Sequence, residues 1–504
     1  MTERVREGAF VALVVLCGFL LRYWHLASFG WIADGGIFLA GMRITNFSLL
    51  HFSDVDVYGQ LARDFLEGRG LNLPFTPPMT TFLLIAIYKL FGYDFFAAKI
   101  VYAALGALSL PAVYFTGREL AGKTAAQIGI VLCAASFTLI FIAGGLNTEN
   151  VYLFTMAWAM ALFVALYREK YFAAAWPAPA AFLFGIAAGA ALLTRSEFAL
   201  VLLGFLALGV TRPGWPSARK MRIAAAAACG IALLVLPWTA RNYFYLSEFN
   251  KKLAEIKMPV IVPLAMNGPF NFYEGHSPLA NGTYAPAVVR IQLENGYFAN
   301  LDYNNPDHLR MVRDGFVIGW RYLLEHPQHE LAMLQVKLTV FINGFANGML
   351  PGNFPAGLTG TVENAADSFV PDSKLALWAG MLLACAGGFT LWRRREAGAE
   401  RWIIILPLAS VLAATLMFYG LSRMVFPVLP YYYLLAAAGI QHIRRATGLR
   451  PAQSDTALFG AVLLLLAAGW LQTREINVVS KIPMGNFGKF RIEQIRHEDI
   501  GKKK

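Results

Sequence analysis

Apolar stretches of about 20 residues recur along almost the whole chain, and this recurrence limits the possible folds more than any other feature. Of the 504 residues, 57% are hydrophobic and only 15% are charged, which is too apolar for a water-soluble globule. A helix of about 20 apolar residues crosses the roughly 30 Å of hydrocarbon in a bilayer. Because a helix satisfies its own backbone hydrogen bonds in lipid, the sequence predicts an all-α, polytopic helical bundle.

The stretches predict about eleven membrane-spanning helices, and up to thirteen if two weaker segments also cross. The first stretch follows a short basic start but lacks a small-residue cleavage site, so we interpret it as a retained helix. The predicted spans are 8–26, 95–116, 124–146, 150–167, 177–194, 198–211, 222–240, 374–392, 402–420, 425–442 and 455–472.

The two weaker segments are expected at the membrane surface and not across it. Proline suits the first turn of a helix, so Pro77 and Pro78 predict a short helix at about 78–91. The segment 328–347 has Lys337 at its centre, which favours an interfacial or re-entrant helix.

Basic residues set the predicted orientation, because they cluster at the helix ends on the side of the N terminus. The short turns on the other side carry only Arg195 and Arg423. We therefore expect a multi-pass protein of the inner cell membrane, with the N terminus cytoplasmic and the C terminus periplasmic. The predicted parts are a transmembrane module at 1–472, long periplasmic loops at 27–94 and 243–373, and a short periplasmic tail at 473–504.

The net charge of +12 does not indicate a nucleic-acid partner, since Lys and Arg are spread between apolar segments and not gathered on one soluble domain. The four cysteines all lie within apolar stretches, where thiols behave as small hydrophobic groups. The sequence therefore predicts neither a disulfide framework nor a thiol catalyst.

Polar residues recur at predicted helix ends on the outer side. In the first loop, Ser53 can cap a helix whose first turn carries Asp54 and Asp56. Glu149 lies where the third predicted span emerges, and Arg195 lies where the fifth one does. Acidic groups that recur at one membrane face indicate a functional site there, beyond helix capping alone. Further polar residues at this face are Trp238, Arg241, Asn242 and Arg423.

Several short motifs follow one another in order along most of residues 1–450. They are Asp54, Tyr58 and Ala62; Pro77-Pro78; Leu90-Phe91-Gly92; Thr148-Glu149; Leu193-Thr194-Arg195; Pro237-Trp238-Thr239-Ala240-Arg241-Asn242; Asn267 to Gly275; Gly282-Thr283-Tyr284; and Arg423 through Pro427 to Pro430. In this order they resemble the membrane glycosyltransferases of the GT-C type. The chain is similar to the branch that holds protein O-mannosyltransferases and lipid A aminoarabinose transferases, as in bacterial glycosyltransferase families 39 and 83.

The resemblance implies an inverting hexosyl- or pentosyltransferase. Such enzymes take a sugar from a polyprenyl phosphate carrier and pass it to a lipid, glycan or protein acceptor outside the cytoplasm. The implied base is the first-loop carboxylate, Asp54, which would accept the proton of the attacking hydroxyl. The family often has an Asp-Glu pair where this chain has Asp54-Val55-Asp56, so Asp56 stays a second candidate. The implied substrate-binding residues are Tyr58, Glu149, Arg195, Arg241 and Arg423, whose arginines suit a departing phosphate.

Structural and metal-binding interpretations remain open beside these roles. Asp54 and Glu149 could cap helices, and the arginines could anchor at lipid headgroups. No cofactor is implied, although Asp54 and Asp56 also match the Asp-x-Asp metal motif of soluble glycosyltransferases, so a divalent metal is not excluded. His326 and His329 could pair on a metal, but a solvated helix face explains them better.

Two other classes compete with the transferase hypothesis. A transporter or lipid flippase would place ionisable residues near the bilayer midplane on broken helices, whereas here they lie at outward helix ends. The sequence also lacks the internal repeat common in transporters. A non-catalytic membrane scaffold would need no common cavity for these residues.

Overall fold

The computed structural model describes most of the chain between residues 3 and 446. The described ranges are 3–28, 32–33, 36–39, 42–45, 54–71, 74–253, 256–278, 280–283, 291–292, 298–299, 305–349, 374–393 and 401–446. The predicted last span 455–472 and the predicted tail 473–504 therefore lie outside the described residues.

Helices form nearly all of the described structure. They are α1 (Glu3–Ser28), α2 (Asp54–Leu66), α3 (Met79–Phe91), α4 (Phe95–Leu108), α5 (Leu110–Leu120), α6 (Lys123–Ala135), α7 (Phe137–Phe141), α8 (Thr148–Arg168), α9 (Phe172–Ala175), α10 (Pro177–Thr194), α11 (Phe198–Thr211), α12 (Ser217–Lys252), α13 (Asn267–Gly275), α14 (Pro306–Glu325), α15 (Pro327–Met349), α16 (Lys374–Arg393), α17 (Arg401–Met417) and α18 (Leu429–Ala446). Two 3-10 helices lie at Ile142–Gly144 and Ser422–Val428.

The two long loops add short antiparallel strands to the predicted helical fold. In the first loop, β2 (Gly36–Leu39) pairs with both β1 (Ile32–Ala33) and β3 (Met42–Thr45). In the second, β4 (Ile291–Gln292) pairs with β5 (Phe298–Ala299). These loops lie outside the predicted spans, so backbone groups that the short strands leave unpaired can bond to water.

Within the described residues, five helices are long and apolar enough to cross a membrane, or six if one bent pair counts as a span. The chain is thus a multi-pass helical membrane protein, while the full count of eleven remains a prediction. The five segments are Phe95–Leu120, Thr148–Arg168, Pro177–Thr194, Ser217–Lys252 and Ser422–Arg444.

The bent pair corresponds to the predicted span 124–146, which the structure breaks at Ser136. The backbone of Ser136 leaves the helical region, and its hydroxyl accepts a hydrogen bond from the Leu139 N–H at 3.4 Å. The Tyr433 hydroxyl donates to the same Ser136 oxygen at 2.9 Å. The two halves meet at 64°, because a serine that caps the second half also ends the first.

α8 lies at the centre of the bundle and α12 at its edge. In the most apolar stretch of α8, 83% of the residues are buried, whereas the corresponding share in α12 is 11%. On α8, the ring of Phe163 stacks on Phe205 of α11 with centroids 4.0 Å apart. Residues at the first turn of α8 are consequently enclosed by protein and not by lipid.

Glycines allow two pairs of helices to touch backbone to backbone. A Cβ at Gly185 in α10 would collide with the carbonyl of Ala227 in α12, and Gly230 in α12 is closed in the same way by Phe182. In α16, Gly387 lies directly against the carbonyl of Leu435 in α18. Small residues are the usual means of close helix contact in membranes.

The first outer loop packs against the bundle through α2 and α3. Tyr58 and Ala62 on one face of α2 are buried with Leu84 and Tyr88 of α3. α3 follows Pro78 directly, so the predicted helix at 78–91 beside the first loop is confirmed. α15, predicted not to span, is absent from the described helices that qualify as spans.

Candidate active site

Glu149 is a buried carboxylate in the first turn of α8. Its residue is only 1% exposed, although ionised carboxylates are rarely buried without partners. The first turn of a helix favours negative charge, because unpaired backbone N–H groups point towards it. The hydroxyl of Thr148 also lies 3.4 Å from Glu149 Oε2.

Arg195 and Arg423 both pair with this one carboxylate. Arg195 follows the last residue of α10, and its Nη1 lies 3.3 Å from Glu149 Oε1. Arg423 lies in the 3-10 helix before α18, and its Nε lies 3.5 Å from the same oxygen. The fold thus brings together three predicted site residues from distant parts of the sequence. We call Glu149, Arg195 and Arg423, with Glu197, the outer cluster.

Glu197 and Tyr152 complete the surroundings of Arg195, and neither was among the predicted site residues. Arg195 Nε lies 2.7 Å from Glu197 Oε1, and its guanidinium lies over the Tyr152 ring at 5.7 Å from the centroid. The two arginines and two carboxylates of the outer cluster balance in charge. Glu197 stands two residues after Arg195, where the chain turns between two spans, so the sequence already indicates it as one of the acidic groups at this face.

Asn147, directly before α8, is a second polar residue that the sequence prediction missed. It is 1% exposed, and within the described part of the chain neither its amide nitrogen nor its amide oxygen has a hydrogen-bond partner. Buried amides are normally hydrogen-bonded, so this amide is a candidate contact for an ordered water or a ligand. The polar run Asn147-Thr148-Glu149-Asn150 between two apolar stretches is the sequence feature that could have identified it.

α2 packs near the start of α8 through Tyr58. Tyr58 is 5% exposed and packs in the same buried cluster as Leu146 and Val151, which flank Glu149 in sequence. Asp54 and Asp56 begin α2, and Asp54 precedes Tyr58 by one helical turn, about 6 Å along the axis. The structure describes the side chains of α2 from Tyr58 onward, so the orientation of both carboxylates lies outside it.

Arg241 occupies a different position from the other two predicted arginines. It donates from Nη2 to the Leu71 carbonyl and from Nη1 to the Asn242 side chain at 3.2 Å. Its guanidinium lies over the rings of Trp238 and Tyr245, with centroid distances of 5.2 and 4.5 Å. These contacts tie α12 to the loop that follows α2.

A second group of buried ionisable side chains lies beside the segment that carries Arg423. His276 contacts Glu330 Oε2 through Nδ1 and the Met417 carbonyl through Nε2, both at 2.8 Å. Lys337 donates to the Leu416 carbonyl at 3.2 Å. We call His276, Glu330 and Lys337, with Glu274 two residues before His276, the bracing cluster, because His276 and Lys337 bond to the last carbonyls of α17.

Burial changes the titration of the bracing cluster. It raises the pKa of Glu274 to about 8 and lowers the pKa of Lys337 to about 8. Burial, followed by the nearby Lys337, also lowers the pKa of His276. At neutral pH, Glu274 and His276 are therefore largely uncharged, and Lys337 carries the charge that faces Glu330.

The described residues contain no group of three or more His, Cys, Asp or Glu side chains that could hold a metal ion. His326 Nδ1 lies 3.1 Å from the Tyr322 carbonyl oxygen. His329 Nδ1 lies 2.7 Å from the Tyr322 hydroxyl. The Asp54 and Asp56 side chains fall outside this search, so their metal-binding alternative is untested.

A family model matches part of the chain. Residues 76–240 match the family described as dolichyl-phosphate-mannose-protein mannosyltransferase, and this segment includes Glu149, Arg195 and Arg241. The resemblance to GT-C type membrane glycosyltransferases that the motifs indicated is confirmed by this match. A search of curated proteins finds no matching sequence.

An archaeal enzyme of known structure has a similar fold at low sequence identity. The oligosaccharyltransferase of Archaeoglobus fulgidus, tethered to an acceptor peptide, has a TM-score of 0.51 at 14% identity, covering 95% of this chain and 55% of that one. The apo form of the same enzyme gives a TM-score of 0.51 at 13% identity, covering 95% of this chain and 56% of the archaeal one. ArnT from Cupriavidus metallidurans bound to undecaprenyl phosphate has a TM-score of 0.37 at 14% identity, covering 90% of this chain and 80% of ArnT. The chain spans about half the length of the archaeal enzyme.

Proposed function

We propose that this chain is a GT-C type glycosyltransferase that moves a hexosyl or pentosyl group from a polyprenyl-phosphate donor to an acceptor hydroxyl. The reaction would take place at the membrane face where α8 begins and α10 ends, which the charge pattern assigns to the periplasm. The acceptor would be a lipid, a glycan or a protein. The family match over 76–240 and the fold of the archaeal oligosaccharyltransferase support this class.

The observation that carries the proposal is the pairing of Arg195 and Arg423 with Glu149. Two arginines held at one buried carboxylate are aligned before any substrate arrives, because each guanidinium has a fixed partner. Guanidinium groups present forked donors that match phosphate oxygens. An arginine side chain has five N–H donors, so two arginines at one site could stabilise the negative charge on a departing lipid phosphate.

The base in this mechanism is Asp54, with Asp56 as the alternative. The acceptor oxygen attacks the anomeric carbon as the bond from that carbon to the phosphate oxygen breaks. The hydroxyl proton passes to the carboxylate, and the bonding electron pair leaves with the lipid phosphate. The position of Asp54 one turn before Tyr58, which packs near Glu149, supports a short distance between base and arginines.

Asn147 would bind a sugar hydroxyl in the same site. The amide nitrogen of Asn147 can donate a hydrogen bond to a sugar hydroxyl, and the amide oxygen can accept one from it. A bound sugar would therefore satisfy a buried group that otherwise costs free energy.

Purified protein incubated with radiolabelled polyprenyl-phosphate sugars and membrane acceptors tests the proposal directly. We expect transfer by the wild type and its loss in either Asp54→Asn or Asp56→Asn, which keep the side-chain shape but remove the base. The variant that loses transfer identifies the base. Asp64→Asn is the matched control, because Asp64 lies on the same helix in a surface ion pair with Arg69.

Two outcomes would contradict the proposal. One is full transfer activity in both Asp54→Asn and Asp56→Asn. The other is no transfer by the folded wild type from any polyprenyl-phosphate sugar offered, while a known GT-C enzyme is active in the same membranes.

A further inference from the structure

A large groove lies between α1 and the α4–α5 segment, away from the outer cluster. Its volume is about 1370 Å³, which exceeds the roughly 300–1,000 Å³ of an ordinary small-molecule pocket. Leu16 and Leu108 line it and are 53% and 47% exposed, so the groove opens towards the lipid. Its size and its opening suit a lipid better than a soluble metabolite.

The groove follows one face of α1 over most of the helix. Arg4, Gly8, Val11, Val15 and Phe19 line it at spacings of three and four residues, which is the period of one helix face. From Arg4 to Phe19 the helix rises roughly 22 Å, compared with roughly 15 Å for half of the hydrocarbon core. The groove is therefore long enough to run from the headgroup level to the bilayer centre.

Polarity changes from one end of the groove to the other. Around Val15 and Phe19 the lining is apolar, and the facing residues Ala104 and Ala107 leave room there. At the opposite end, charged side chains of α1 and α5 form the lining. A polar end and an apolar trough match a molecule with one headgroup and long acyl chains.

The charged end has an excess of positive charge. Arg118 is held by Glu7 at 2.5 Å and by Glu119 at 3.2 Å, so its charge is already compensated. Arg4 and Lys170 also line the groove, and among the described residues neither side chain has an ion-pair or hydrogen-bond partner. Glu7 and Glu119 together oppose Arg118, so with Arg4 and Lys170 this end carries one net positive charge. A net positive charge beside a lipid-facing trough complements a phosphate group.

This end lies at the membrane face opposite to the outer cluster. Glu149 stands in the first turn of α8 and Lys170 follows its last turn, so α8, with 21 residues, separates them by roughly 30 Å. The groove is therefore distinct from the proposed transfer site.

We propose that the groove binds one anionic glycerophospholipid from the leaflet on the N-terminal side. Its phosphate lies between Arg4 and Lys170, and an acyl chain runs along Val11, Val15 and Phe19. Binding does not depend on the proposed transferase activity.

Native mass spectrometry of the purified full chain, titrated with phosphatidylglycerol or phosphatidylcholine in detergent, tests this assignment. We expect the wild type to retain one phosphatidylglycerol and to hold it at least about tenfold more tightly than phosphatidylcholine, a difference of about 1.4 kcal/mol. The double variant Arg4→Gln/Lys170→Gln should lose this preference, whereas Arg222→Gln, a basic residue outside the groove, should keep it.

A second variant blocks the trough without removing charge. A Cβ at Gly8 meets no atom within 4 Å, so a side chain introduced there has an open path into the groove, and Gly8→Phe is chosen to fill it. It should abolish lipid retention, while Gly209→Phe, in equally open space on α11, should not. Equal retention of both lipids by the wild type, unchanged retention in Gly8→Phe, or displacement of the phospholipid by undecaprenyl phosphate would each overturn the proposal.

Discussion

The outer cluster and the bracing cluster both bury charge close to the same segment, but they balance that charge differently. In the outer cluster, two arginines face Glu149 and Glu197, and arginine keeps its proton at any ordinary pH. In the bracing cluster, balance depends on Glu274, His276 and Lys337, whose pKa values are shifted by burial. A permanently charged site suits phosphate binding, whereas the bracing cluster should respond to pH.

The largest expected effect comes from removing the shared carboxylate of the outer cluster. Glu149→Gln leaves Arg195 and Arg423 buried without their common partner. Removing one member of a buried ion pair costs about 3–5 kcal/mol. Thermal unfolding in detergent should show a clear fall in Tm. The control is Glu248→Gln, since Glu248 and Lys251 form an exposed pair worth about 0–1 kcal/mol. Equal Tm values for the two variants would show that Glu149 does not stabilise the two buried arginines.

A smaller and purely catalytic effect should follow from changing the donor geometry of the outer cluster. Arg195→Lys and Arg423→Lys keep the charge but lose the planar fork, so kcat should fall by about a hundredfold. Arg241→Lys sharpens the comparison, because Arg241 contacts Leu71 and Asn242. If Arg241→Lys lowers kcat as strongly as the other two, Arg241 also binds the phosphate, as the sequence resemblance implies. If Arg195→Lys and Arg423→Lys keep wild-type kcat, neither arginine stabilises the leaving group.

The smallest expected effect is a pH dependence of stability confined to the bracing cluster. The folded-state pKa of Glu274 is raised from 4.5 to about 8, so its contribution is greatest below pH 4.5 and is lost as pH rises through 8. The folded-state pKa of Lys337 is lowered from 10.5 to about 8, so its contribution is present above pH 10.5 and is lost as pH falls through 8. Together these two groups should give a minimum of stability near pH 8.

Two variants test separately the fall and the rise of stability with pH. Glu274→Gln should flatten the fall in Tm between pH 4.5 and 8, and Lys337→Met should flatten the rise between pH 8 and 10.5, each by several degrees. Unchanged profiles in both variants would mean that these groups titrate as they do in water.

Much of the helical architecture could be predicted from the sequence, because apolar length and proline position act locally. The predicted helix at 78–91 matches α3 for this reason. The break at Ser136 could not be predicted, since it depends on Tyr433, which is almost 300 positions away in sequence. Single serines occur inside many apolar helices without breaking them, so the residue type alone carries too little information.

The candidate site was predictable in part. The orientation rule places Glu149, Arg195 and Arg423 at one face, and the structure brings their side chains together. The orientation rule also places Arg241 at this face, but it cannot show that Arg241 contacts Leu71 and Asn242 and not Glu149. A shared membrane face does not determine which residue a side chain contacts. Asn147 was missed because its significance lies in its unsatisfied amide, which only packing reveals.

The glycine contacts between α10 and α12, and between α16 and α18, have a consequence for how the protein responds to different membranes. Two helices joined backbone to backbone are fixed to each other more firmly than either is fixed to lipid. When a bilayer thins or thickens, each pair should tilt as one body and not slide apart. Arg195 stands at the end of α10, and Arg423 stands just before α18. Each arginine should therefore keep its position relative to its own helix pair when hydrophobic thickness changes with lipid composition or temperature, and a tilt of one pair against the other is the motion that would separate them.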